Sequence, residues 1–141
     1  MSTVDFETIN VGEAVPSFTT DPISRSTLAL FAGASGDHNP IHIDIDFAKK
    51  SGMDDVFAQG MLSMAYLGRL LTNLAPQKAI RQYGVRFAAI TNLNDRITCS
   101  GKVLEKFEKD GEQLVRLELT AANQTGDVKL SGQAVIAVAK N

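Results

Sequence analysis

Three polar side chains, Asp37, Asn39 and His42, fall within six residues around Pro40. A carboxylate accepts hydrogen bonds, and an imidazole both donates and accepts them. Together they meet the requirements for holding and activating a water molecule. Imidazole also shuttles protons well near neutrality, since its ordinary pKa is about 6.5. Pro40 biases Asn39 away from the helical region, so the segment is expected to be loop or extended chain. Loops on a rigid scaffold present such side chains to a cleft. The same residues have a plainer account. Asx-Pro segments initiate turns, and Asp37 can cap nearby backbone amides. On residue chemistry alone both accounts stand.

Other chemistry is less well supported. His38 and His42 stand at i,i+4 spacing with Asp44 nearby, a pattern that could hold a metal. Pro40 lies between them and prevents the helix that would bring both rings to one face. No metal is therefore expected, and His38 reads as a solvated loop residue. Cys99 alternates with Ile97 on an expected strand, which suits core packing better than a nucleophile. As the single cysteine it cannot form an intramolecular disulfide. No Gly-x-Gly-x-x-Gly or Walker pattern occurs, so the nucleotide-binding folds built on them are excluded.

The elements that must carry the loop follow from periodicity. After Pro22 the chain reads as a helix, with Ser24 as N-cap, Leu28, Phe31 and Ala32 at helical spacing, and Gly33 and Gly36 near its end. A short helix is expected over 46–50, ending near Gly52. Residues 60–74 give the strongest helical pattern. There Met61, Leu62, Met64, Ala65, Leu67, Leu70, Leu71 and Leu74 cover more than one stripe, which predicts a helix buried on most sides. Tyr66, Met61 and Met64 read as packing within it, and Pro76 stops it.

From residue 81 the period changes to two. Val115, Leu117, Leu119 and Ala121 alternate with Arg116, Glu118 and Thr120, as in a half-buried strand. Asp110-Gly111 and Gly126-Asp127 supply turns on either side. Val128, Leu130, Gly132, Ala134, Ile136 and Val138 again share one parity. Residues 83–90 and 96–107 make two more strands, and the stretch up to Phe18 could add another. Helices followed by a run of antiparallel strands indicate an α+β fold, with one sheet curled around one buried helix.

Composition limits the function classes. A chain of 141 residues suits a single domain, 1–141, and 44% hydrophobic with 21% charged residues suits a globular protein with a real core. Fourteen Lys and Arg against sixteen Asp and Glu leave a net charge of −2, which argues against nucleic-acid or polybasic membrane binding. The start of the chain has neither a basic region nor an apolar one, so no secretory signal is expected and the cytoplasm is the default location. The longest apolar stretch, broken by Ser63, Gly68 and Arg69, is too short to span a bilayer.

The stretch Phe31-Ala-Gly-Ala-Ser-Gly-Asp-His-Asn-Pro-Ile-His42, with Phe47-Ala48 and Ala58-Gln59-Gly60-Met61-Leu62 after it, resembles the MaoC-like (R)-specific enoyl-CoA hydratases. It matches their signature Ser-Gly-Asp-x-Asn-Pro-x-His without a gap. The resemblance implies a hotdog fold, a long central helix wrapped by a curved antiparallel sheet, in a dimer whose sheets join edge to edge. It also implies reversible syn-hydration of a trans-2-enoyl thioester to the (R)-3-hydroxyacyl thioester. By position, Asp37 and His42 would hold one catalytic water, Asn39 would position loop or water, and the Gly60 backbone N–H would stabilise the enolate oxygen. No resident cofactor is implied, because CoA or phosphopantetheine arrives on the substrate. Lys78, Arg81 and Arg86 are weak candidates for contacting it, and Lys49-Lys50 reads as a solvated helix face.

The sequence departs from the family in two places. Gln59 stands where the family commonly has His, so a supporting hydrogen bond survives there but acid–base chemistry does not. Leu93-Asn94-Asp95 replaces a Pro-Gly-Asp turn, which puts the turn geometry in question. Two rival readings are a hotdog acyl-CoA thioesterase and one subunit of a heterodimeric 3-hydroxyacyl dehydratase. Acyl-chain length, CoA against carrier protein, and the direction of reaction are not set by these residues.

Overall fold

Leu67, Leu70, Leu71 and Leu74 recur at i, i+3, i+4 and i+7 and are all fully or almost fully buried. They form one face of α3 (Gly60–Leu74), the long helix of the computed structural model. The structure describes residues 4–138. The ends of the expected 1–141 domain, and the first three residues of the stretch read for a signal, lie outside these. Around α3 come β1 (Ala14–Thr19), α1 (Arg25–Ser35) and α2 (Ile45–Lys50), then β2 (Ile80–Phe87), β3 (Thr98–Lys109), β4 (Glu112–Ala122) and β5 (Val128–Val138).

The strands form one antiparallel sheet in the order β1-β3-β4-β5-β2. Its inward parity is the one read from the sequence except at the start of β5, where the register against β4 shifts, Val128 is exposed and Lys129 is buried. Val115, Leu117, Leu119 and Ala121 of β4 are fully buried, as are Ile136 of β5 and Cys99 and Val103 of β3. The β3–β4 hairpin turns on Asp110 and Gly111, both at positive φ (51° and 78°), which matches the right-handed twist of the strands. At Gly132 a Cβ would stand 2.1 Å from the Gly84 carbonyl oxygen. Only glycine lets β2 lie this close across β5. A sheet curled over one central helix is the expected α+β hotdog arrangement.

Three details differ from expectation. α3 is less enclosed than its apolar sequence predicts: Met61 is 53% exposed, and Ala65 and Thr72 are open. The sheet of one chain covers only one side of a helix. β2 starts at Ile80 and ends at Phe87, where 83–90 was expected: past the in-register bond from the Ala88 amide to the Lys129 carbonyl at 2.9 Å, the Ala89 amide turns back to the same carbonyl at 3.4 Å and the ladder stops. β3 runs over Thr98–Lys109, starting and ending two residues later than the expected 96–107. No helix among the described residues is long and apolar enough to cross a membrane.

Cys99 is inert by position. It is fully buried, and burial pushes its thiol up to about 12. Since the thiolate is the nucleophile, iodoacetamide at pH 8 is expected to leave Cys99 unmodified in the folded protein and to label it fully in guanidinium. Mass spectrometry of the two samples checks this, and rapid labelling of the native form would refute it.

Candidate active site

The loop that carries Asp37, Asn39 and His42 is built by local hydrogen bonds. Ser24 caps α1 by accepting from the Thr27 amide, and Gly36 ends it in the left-handed region at φ 77°. Ser35 Oγ donates to the Phe31 carbonyl at 2.7 Å and accepts from the Asp37 amide at 3.1 Å. Asp37 Oδ1 then accepts from the Asn39 amide at 3.3 Å, and Asn39 Oδ1 from the Ile41 amide at 3.1 Å. Asn39 thereby caps a short 3-10 turn, Pro40–His42. The turn-forming account of these residues is thus physically present. It occupies one oxygen of Asp37 and leaves Oδ2 unused.

Asp37 Oδ2 faces His42 Nε2 at 3.7 Å, too long for a direct hydrogen bond. The His42 ring is buried, whereas the Asp37 side chain is 42% exposed. His42 Nδ1 lies 2.7 Å from the Phe57 carbonyl oxygen, which can only accept, so Nδ1 carries the proton. In the neutral ring Nε2 is therefore a free acceptor aimed at the carboxylate. The Phe57 ring meets the imidazole edge-on at 5.1 Å and holds its plane.

Gly60 opens α3 after Gln59, whose backbone (φ −56°, ψ 133°) is extended and whose side chain does not cap the helix. The Leu62 amide returns to the Gln59 carbonyl at 3.0 Å, while no bond from the Gly60 amide occurs among the described residues. An uncapped first-turn N–H at the positive end of a helix is a ready anion donor. Phe57, Gly60, Phe87, residues 88–91 and Leu130 line an open cleft of about 350 Å³. Asp37 and His42 do not line it themselves, and Phe57 is the link between pair and cleft.

Gln59 is fully buried and donates from Nε2 to the Leu28 carbonyl at 3.0 Å, while its Oε1 has no protein partner. Its visible bond therefore ties α3 to α1 and does not reach the Asp37–His42 pair. Asn94 takes up φ 68°, a conformation asparagine tolerates, and Asp95 Oδ2 accepts from the Asn92 amide at 2.9 Å. The turn thus closes without the family's Pro-Gly. His38 is exposed, and Asp44 caps α2 by accepting from the Asp46 and Phe47 amides. Arg81 is paired with Glu112 and with the Lys78 carbonyl, so it is not a free cation.

Sequence reasoning missed Phe57 and Lys129. Phe57 acts through its carbonyl, which carries no signal of residue type. Lys129 carried none: alternation between Val128 and Leu130 would place it outward, but the β4–β5 register shifts there and leaves it 2% exposed.

Comparison with known proteins agrees with this arrangement. The MaoC-like domain family matches residues 7–125. The chain is 31% identical over 135 residues to the (R)-specific enoyl-CoA hydratase of Rhodospirillum rubrum, covering 94% of this chain and 90% of that one. The structure of the R-hydratase PhaJ1 from Pseudomonas aeruginosa superposes with a TM-score of 0.81 at 30% identity, covering 96% and 86% of the two chains. Within a larger protein, 28% identity over 131 residues relates the chain to 6% of the fatty acid synthase subunit beta of Saccharomyces cerevisiae. With its loop, its central helix and nearly its whole length matched, this chain belongs to the MaoC-like domain family.

Proposed function

We propose that the protein catalyses reversible syn-hydration of trans-2-enoyl thioesters to (R)-3-hydroxyacyl thioesters. The observation that carries this reading is the free Nε2 acceptor of His42 facing Asp37 Oδ2 across 3.7 Å. Two acceptors at that spacing suit one water that donates a hydrogen bond to each. The water oxygen bonds to C3 as the pair takes a proton from it. The C2–C3 π electrons move onto the thioester oxygen, where the Gly60 N–H receives the developing charge. Collapse of the enolate brings a proton from the pair to C2, so the net addition is one water. The two groups act as a unit, and neither alone is assigned as the base.

Asn39 supports the reading as a loop-positioning residue, because its side chain caps the turn that delivers His42. The thioester carries its own CoA or phosphopantetheine, and the chain supplies no further redox or group-transfer chemistry in this mechanism. The free edge of β2, with Met61, Phe87 and Ile90 exposed beside the cleft, suits a dimer in which two copies join along β2. Light scattering on the eluting protein is expected to give twice the chain mass. A chain that dimerises only with a related hotdog partner would instead make it half of a heterodimer.

The reaction is tested by the ultraviolet loss of the conjugated enoyl group in crotonyl-CoA and octenoyl-CoA. Hydration without thiol release is expected. Thiol release without hydration would identify a thioesterase. Failure on both substrates by folded dimer would overturn the proposal for these acyl groups.

A further inference from the structure

Lys129 is the one Lys or Arg that is buried among the described residues. It is the residue skipped where the β4–β5 register shifts, between the pairs Ala121–Leu130 and Ala122–Val128, and its side chain reaches the segment that leaves β2. The ammonium donates to the Ile90 carbonyl at 2.8 Å and to Asp127 Oδ2 at 2.7 Å, with Asp95 Oδ2 at 3.7 Å. The Lys129 carbonyl meanwhile accepts from the Ala88 amide at 2.9 Å and the Ala89 amide at 3.4 Å. One residue therefore grips three successive residues, 88–90, through their backbone. A buried ammonium is tolerated only where its partners stay in place, so the charge fixes the segment more strictly than an apolar side chain would.

The other side of that segment touches the candidate site. The Thr91 carbonyl accepts from the Ala58 amide at 2.9 Å, Thr91 Oγ1 meets Ser63 Oγ at 3.3 Å, and Asn92 forms a bridge with Phe57. Phe57 holds the Nδ1 proton of His42. At the near end, the Phe87 ring lies 3.0 Å from where a Gly60 Cβ would stand. Ala88, Ala89 and Ile90 line the cleft themselves.

We propose that Lys129 is a positioning residue, whose ammonium holds segment 88–95 so that the Phe57 carbonyl orients His42 and the cleft keeps its width. The consequence for catalysis rests on the hydratase reading. The consequence for His42 does not.

The test is Lys129→Met, which keeps the length of the side chain and removes its charge. Asp127→Asn, at an exposed partner, is the second variant. The His42 ring is followed by nitrogen-15 NMR and distinguished from His38 by a His38→Gln control. A persistent Nδ1–H signal is expected in the parent and a broadened, rapidly exchanging one in Lys129→Met. With enoyl thioesters, kcat is expected to fall about 10- to 100-fold with KM nearly unchanged, as for small misplacements of catalytic groups. The ratio of crotonyl to octenoyl rates should shift as well.

A folded Lys129→Met protein with an unaltered His42 signal and rate ratio would overturn the proposal, even if its Tm were lower. Should that variant not fold, Asp127→Asn decides by the same readouts, with smaller changes expected in the same direction. Parent protein inactive on enoyl thioesters, but with His42 loosened in the variants, would defeat the hydratase reading and support the clamp.

Discussion

Asp37→Asn is expected to lower kcat on crotonyl-CoA by about 10²- to 10⁴-fold, the range for removing a positioned acid–base group. Asparagine retains an oxygen that can accept from the Asn39 amide, so the loop has no cause to unfold. What it loses is the anionic oxygen facing His42 Nε2. His42→Gln is expected to act on a similar scale, because a glutamine amide can still donate toward the Phe57 carbonyl but cannot relay a proton. Since the two groups handle one water, the double variant should be about as slow as the slower single variant. Losses that multiply in the double variant would mean that the groups act in separate steps. Circular dichroism spectra matching the parent are required for each comparison.

Gly60→Pro is expected to cost about 10²- to 10³-fold in kcat relative to Gly60→Ala, the usual effect of deleting one oxyanion donor. The comparison works because proline suits the first position of a helix, where its missing N–H leaves the ladder intact. Gln59, at ψ 133°, already has the backbone a following proline requires. Either substitution adds a Cβ that meets the Phe87 ring at 3.0 Å. Phe87 is half exposed and can yield, and the alanine variant measures what that shift costs. Only proline removes the amide hydrogen. Equal rates for the two variants would dismiss the Gly60 N–H as the enolate's partner.

Much of the fold was legible because the interactions that build it are local. The Ser24 cap and the Gly36 stop of α1 each depend on residues within one helical turn. The bounds of α3 follow from its apolar run and from Pro76. The inward faces of β4 and of β5 from Leu130 onward follow from two-residue alternation, and the hairpin between β3 and β4 from Asp110-Gly111. Errors arose where a distant group intervened. Alternation alone carried β2 on to residue 90, but the Ala89 amide joins the in-register Ala88 amide on the Lys129 carbonyl and the ladder ends there. The apolar circumference of α3 predicted enclosure that the sheet of one chain does not supply.

The candidate site divides in the same way. Asp37, Asn39 and His42 are set by hydrogen bonds spanning two to four residues, so their types and spacing suffice to bring carboxylate and imidazole together. The tautomer of His42 depends on a carbonyl fifteen residues away, and a backbone carbonyl leaves no mark on the identity of its residue. The buried ammonium of Lys129 depends on Ile90, thirty-nine residues before it, and on which way β5 faces. The sequence by itself determined which groups stand in the loop, where the central helix begins and which strand faces point inward, since each rests on short-range geometry. Only the tertiary structure decided which nitrogen of His42 is free, what lies against Gly60 and how the cleft wall is held. Those depend on register between segments that only the folded chain brings into contact.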